Sequence, residues 1–146
     1  NNLEKIETIR DDGLIEGATA TCTRSGAVSV LYRVPGSFEL PLAAQVAARA
    51  GFDAVIALGV IIRGGTPHFE YVCDAATSGL SRVALDTGVP VGFGLLTCDD
   101  EAQALDRAGL PGSREDKGRE AAEAALSLAL TIPGIRRPGS GATTGF

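Results

Sequence analysis

The chain of 146 residues has no methionine, no tryptophan and a single histidine, His68, and each scarcity excludes something. Zinc sites draw on clustered cysteine and histidine, so one histidine and three scattered cysteines make such a site an unfavourable reading and imply no metal. Cys22, Cys73 and Cys98 are odd in number and far apart, which suits reduced thiols in a cytoplasm rather than a disulfide framework. No apolar run approaches the ~18 residues of a spanning helix. The longest, 54–62, is interrupted by Gly59, and no secretory apolar segment opens the chain. Positive charge is also short, with 13 Lys and Arg against 18 Asp and Glu and a net charge of −5. A nucleic-acid binder carries a basic patch, and an anionic membrane is held by a polybasic segment, so neither partner is expected. The missing methionine points to a processed N-terminus or to residues before Asn1.

What is present suits one ordinary globular domain, 45% apolar and 21% charged. Residues 4–25 carry apolar residues at loose helical spacing, weakened by Gly13 and Gly17 and stopped by Gly26. Residues 28–34 are β-branched and aromatic and are predicted as a strand. Pro35-Gly36 ends it, Ser37 offers an N-cap, and 38–50 is predicted as a helix closed by Gly51. Residues 53–62 form a continuous apolar strand, the pattern of a parallel strand covered on both faces. A loop over 63–67 leads into a helix over 68–86, then a buried strand over 91–97. Asp99 or Asp100 caps a short helix reaching Ala108, 109–116 connects, and 117–130 is an alanine-rich helix. The Gly-, Ser- and Pro-rich residues 133–146 are expected as a flexible tail after a single domain over 1–132. Alternating strands and helices predict an α/β fold, a three-layer α/β/α sandwich on a parallel sheet. Three strands are few for such a sheet, so a further first strand is expected before residue 1.

Ligands of open parallel sheets bind beyond the carboxyl ends of the strands. Three segments qualify there: Ser37-Phe38-Glu39, Gly64-Gly65-Thr66 with His68, and the acidic Asp99-Asp100-Glu101. Glycines let backbone N–H groups approach an anion, Thr66 adds a hydroxyl, and the following helix turns its positive end to the same place. A plain strand-to-helix turn fits the loop equally well. The positive end of a helix suits a neutral imidazole and hence a proton acceptor. An isolated histidine more often packs or caps, but the glycine-rich loop beside His68 favours the chemical role. Glu39 equally suits the dipole of its own helix, and Arg107 and Lys117 equally suit surface pairs with Asp106, Glu115 or Asp116.

The stretches Val34-Pro35-Gly36-Ser37-Phe38-Glu39-Leu40-Pro41, Asp53 to Gly59, and Ile62-Arg63-Gly64-Gly65-Thr66-Pro67-His68-Phe69-Glu70-Tyr71-Val72 closely resemble the lumazine synthase family. So do Gly88-Val89-Pro90-Val91, Leu96-Thr97, Gln103 to Gly109 and Asp116-Lys117-Gly118. The match runs in one order from about residue 14 to 131, and the Cys73-Asp74-Ala75 and 110–117 stretches look actinobacterial. The N-terminus departs from the pattern: members open with a strand ending in an aromatic residue, and here no aromatic residue precedes Tyr32.

The resemblance implies a flavodoxin-like sheet and a transferase of riboflavin biosynthesis. It condenses a ribityl-substituted diaminouracil with 3,4-dihydroxy-2-butanone 4-phosphate, without a metal or redox cofactor. It implies His68 as the proton-transfer group and Gly65, Thr66 and Arg107 as the phosphate site. Lys117 matches a lysine near that site, Ser37, Phe38 and Glu39 contact the ribityl chain, and Val60, Ile61 and Ile62 read the pyrimidine. Phe93 matches a residue donated by a neighbouring subunit, so the partners are small-molecule substrates and further copies of the chain. Phe93, Arg107 and Lys117 would come from one chain and His68 from the next. The 109–116 connection is longer than in shell-forming members, which predicts a homopentamer over a 60-mer. The alternative is a pentameric structural or carrier homologue with little or no turnover.

Overall fold

The computed structural model describes residues 2–139, and the side chains of residues 11–139. Helix α1 spans Asn2–Arg24, and a short 3-10 turn over Ser37–Glu39 leads into α2, Leu40–Arg49. Strand β1 is Val55–Ile62, α3 His68–Thr87, β2 Val91–Cys98, α4 Glu101–Arg107 and α5 Lys117–Arg136. The two strands pair in parallel from Val55 opposite Val91 to Ile62 opposite Cys98, so both carboxyl ends emerge side by side.

Side chains alternate across a strand, and here they sort the helices into layers. Ala57 of β1 packs with Ala44 and Ala48 of α2 and Leu80 and Val83 of α3. Ile61 and Leu95 join Ala76 of α3 on the same face. Leu58, Val60 and Ile62 point the other way, to Leu14 of α1 and Ala104 and Ala108 on and beside α4. Helices α2 and α3 therefore cover one face, and α1, α4 and α5 the other. This is the expected α/β sandwich with a parallel sheet.

Leu14, Ala18 and Cys22 recur every four residues on α1 and are all buried. The glycines of this region turn out to be packing devices. A Cβ on Gly118 would run into the Leu14 carbonyl, and one on Gly17 into the Asp116 carboxylate. Their absence lets α1 and α5 cross at backbone contact, which offsets the helix propensity that glycine forfeits. Gly118→Ala is expected to cost about 1–3 kcal/mol through overpacking, measured as a lower urea midpoint with an unchanged m-value.

Several sequence expectations are corrected. Residues 28–34 form no strand: Val28 is 94% exposed, and a cavity of about 940 Å³ is lined by this segment and by the start of β1. β-propensity describes fit to a pleated surface, and without a neighbour at ladder distance there is no strand to form. Ser37 does not cap a helix. Gly36 precedes the 3-10 turn and Glu39 precedes α2, neither with a side-chain cap, because Pro41 shifts the α-helical start to Leu40. Asp100 caps α4 by accepting from the Gln103 N–H at 2.9 Å, as one of the two expected candidates. Helix α5 runs past Pro133 to Arg136, so the tail does not begin at Pro133. A proline this near a helix end costs only one late backbone bond. The expected first strand before residue 1 and the tail residues 140–146 lie outside the described residues.

The 109–116 connection is also more built than a plain loop. Ala108 bridges Asp116, the Ser113 hydroxyl donates to the Leu105 carbonyl at 2.5 Å, and the Leu110 N–H donates to Ser113 Oγ at 3.0 Å. Among the described residues no helix is long and apolar enough to cross a membrane.

Candidate active site

Several of the expected site residues lie along β1 and just beyond its carboxyl end. Gly59 is the point of closest approach, where a Cβ would stand 3.2 Å from Ser37 Oγ and 2.9 Å from Leu95 Cδ1. The missing side chain lets the 3-10 turn lie against the strand, which sets Ser37 beside Gly59 and Val60. Ser37, Gly59 and Val60 share the lining of a cavity of about 350 Å³ with Leu14, Ile15 and Leu31. Phe38 and Glu39 are exposed, Val60 and Ile62 half-buried and Ile61 buried.

Beyond Ile62 the chain turns through the exposed Gly64, Gly65, Thr66 and Pro67 into His68, the first residue of α3. No atom lies within 4 Å of where a Cβ on Gly64 or Gly65 would be, so the loop stands open. Pro67 precedes the helix and gives no side-chain cap. Helix N-termini carry N–H groups without helical partners and attract anions, so loop and helix start offer backbone donors to one. His68 is exposed on this first turn.

Arg107, in the last turn of α4, reaches back to the end of β2. Its Nη1 lies 3.8 Å from Cys98 Sγ and its Nε 3.9 Å from a Glu115 oxygen. The surface pair with Glu115 allowed for in the sequence exists, at the outer limit of an ion pair. Asp106 pairs with Arg114 at 2.6 Å instead, and Asp116 caps α5 by accepting from the Arg119 N–H at 3.1 Å. Lys117, half-buried, opens α5. Phe93, 44% exposed, lies opposite Ala57, about 16 Å down β2 from Cys98 at ~3.3 Å per residue. One chain thus sets Ser37 beside Gly59 and Val60 and leads from Ile62 through the Gly64 to Pro67 loop into His68, while Phe93 lies five residues before the end of β2.

The sequence reading gave no role to Arg63, yet it is the most engaged side chain of this end. Its Nε donates to Asp99 Oδ1 at 2.9 Å, its Nη1 pairs with Glu70, and its guanidinium carbon sits 4.5 Å over the Phe69 ring. The available signal was charge sign: a basic residue closing one strand, opposite an acidic segment closing the next. Hydrogen bonds from Arg63 hold the carboxyls of Asp99 and Glu70 below their ordinary range, and the same bonds raise the guanidinium. The Arg114 hydrogen bond likewise lowers Asp106, and burial raises the Cys73 thiol. Among the described residues no group of three or more His, Cys, Asp and Glu side chains is placed to hold a metal ion.

The lowered carboxylates set a sign for acid stability. Near and below the ordinary carboxylate range the unfolded chain binds more protons at Asp99, Glu70 and Asp106 than the folded chain does. Their contribution is therefore complete at neutral pH and is lost as pH falls through the lowered folded values. Urea midpoints are expected to drop between pH 6 and pH 3, less steeply in Asp106→Asn, and less in high salt because these pairs are exposed. An unchanged slope in Asp106→Asn removes its part.

The family model for 6,7-dimethyl-8-ribityllumazine synthase matches residues 7–132. A 6,7-dimethyl-8-ribityllumazine synthase of Leifsonia xyli subsp. xyli is 67% identical over 125 residues, 86% of this chain and 79% of that protein. The protein of the same name from Clavibacter sepedonicus is 65% identical over 124 residues, 85% and 78% of the two chains. That from Streptomyces avermitilis is 58% identical over 128 residues, 87% and 80%. The actinobacterial resemblance read from the sequence agrees with these organisms. A family-model match over residues 7–132, with relatives 58% to 67% identical over most of the chain, shows that the chain belongs to the 6,7-dimethyl-8-ribityllumazine synthase family, transferases of riboflavin biosynthesis.

Proposed function

We propose that the chain condenses 5-amino-6-(D-ribitylamino)uracil with 3,4-dihydroxy-2-butanone 4-phosphate to 6,7-dimethyl-8-ribityllumazine. The observation that carries this is the 67% identity to a named synthase over 125 residues. The uracil's 5-amino group attacks the ketone and water leaves as the imine forms. Phosphate is then eliminated, and the ribityl-bearing nitrogen closes the ring with loss of a second water. Each step needs protons moved and two substrates held together, which positioned side chains supply.

In this reading His68 moves the proton, while the Gly65 N–H, Thr66 and Arg107 hold the phosphate with Lys117 nearby. Ser37, Phe38 and Glu39 meet the ribityl chain, and the Val60, Ile61 and Ile62 backbone reads the pyrimidine. Phe93, remote from His68 along β2 in its own chain, serves a neighbour's site. The assembly is a homopentamer working in the cytoplasm, with sites between adjacent subunits. Native mass spectrometry is expected to give a pentamer; a 60-subunit particle overturns it. For the reaction, both substrates are mixed with the folded protein and lumazine fluorescence is followed. Formation at no more than the uncatalysed rate overturns the proposal.

A further inference from the structure

We propose that Arg63 is a positioning residue for the reaction: a clamp that fixes the start of α3, and with it His68 and the Gly64 to Pro67 loop, against the end of β2. The inference rests on the site reading above and adds a residue to it.

Arg63 is held from three directions. Its backbone N–H donates to the Cys98 carbonyl at 2.8 Å, which extends the β1–β2 ladder by one bond past Ile62. Its side chain then forks, with Nε to Asp99 just beyond β2 and Nη1 to Glu70 in the first turn of α3. The face of the guanidinium covers Phe69, the residue after His68. Asp99 is itself steadied, because its N–H donates to Gln103 Oε1 at 2.8 Å. The four residues between Arg63 and His68 include two glycines whose Cα atoms face open space, and Pro67 offers no side-chain cap. The loop has little support of its own, so its course is set where its two ends are tied. Arg63 ties both, one through its backbone and the other through Phe69 and Glu70.

The clamp suits orientation better than stability. Its ion pairs are roughly half exposed, and such pairs contribute little to folding. A planar fork with two acceptors and a stacked ring does fix direction, and lysine cannot reproduce it. Small displacements of a reacting group cost rate steeply.

Because His68 is the only histidine, its imidazole gives one unambiguous set of NMR signals in the whole assembly. Histidine-labelled Arg63→Lys is expected to shift those signals and to lower kcat about tenfold, with the melting temperature and oligomer mass unchanged. Glu70→Gln and Asp99→Asn move the signals in the same direction by less. Arg119→Lys, which disturbs an exposed pair with Glu123 on α5, leaves signals and rate alone. The tenfold loss disappears when Arg63→Lys is combined with His68→Ala, since a residue acting through His68 has nothing left to position. Unmoved imidazole signals in Arg63→Lys, or a loss that persists in full beside His68→Ala, overturn the proposal. Full activity of His68→Ala alone removes the catalytic reading of His68, and the imidazole signals then decide the clamp by the same criterion.

Discussion

Replacing His68 by alanine is expected to slow lumazine formation about a hundredfold, with both KM values changed little. The imidazole opens α3 directly after the Gly64 to Pro67 loop and is exposed, so it can exchange protons with a substrate and with water. Positioned proton transfer contributes about 10² to 10⁴ in rate. The low end is appropriate, since the amine, ketone and phosphate leaving group are reactive already and much of the catalysis is holding them together. Removing a group that acts only on the chemical step lowers kcat and kcat/KM equally. Imidazole added to His68→Ala is expected to restore part of the rate by filling the space left. A rise in KM without loss of kcat identifies His68 as a binding residue instead.

The second large effect concerns phosphate. Arg107→Ala is expected to raise KM for the butanone phosphate by roughly a hundredfold, with KM for the uracil unchanged. A hydrogen bond to a charged group is worth about 1.5–3 kcal/mol, and one such bond near the top of that range gives that factor. Arg107 is suited to the role by how weakly it is otherwise held. Its contact with Glu115 is 3.9 Å long, whereas Arg63 is tied to two carboxylates and a ring. A guanidinium near an acceptor but not locked to it turns to an incoming dianion at small cost. Inorganic phosphate is expected to inhibit the parent competitively and Arg107→Ala far less. Arg107→Lys falls between, keeping the charge but losing the fork. Equal rises in both KM values point to a distorted site and remove the phosphate role.

Most of the architecture is legible in the sequence. The continuous apolar runs that became β1 and β2, the Gly88 that stops α3 and the aspartate that caps α4 are local signals, and each appears within a residue or two of its expected place. They are legible because strand burial, helix caps and left-handed glycine turns are decided within a few residues of chain. The 28–34 segment shows the limit. Its residue types suit a strand, but a strand is a relation between two segments, and the segment has no ladder partner among the described residues. The failed Ser37 cap is similar, since the α-helix starts only at Leu40, beyond a 3-10 turn that holds Ser37.

The sequence by itself determined which chemical groups this protein possesses and, through several ordered motifs, the family that uses them. One imidazole, one glycine-rich loop and two basic residues beside 109–116 are properties of composition and spacing. Only the tertiary structure decided which of these groups are committed and which are free. Arg63 and Arg107 are both arginines near acidic residues in the sequence, and nothing in their spacing separates them. Parallel pairing places Ile62 beside Cys98, and that alone brings Arg63 within reach of Asp99, 36 residues away, and locks it there. Arg107, about two turns of helix beyond the same strand end, is left loosely held. Ion pairs between distant segments act over a few ångströms, so their partners are chosen by the register of the sheet and not by the order of the chain.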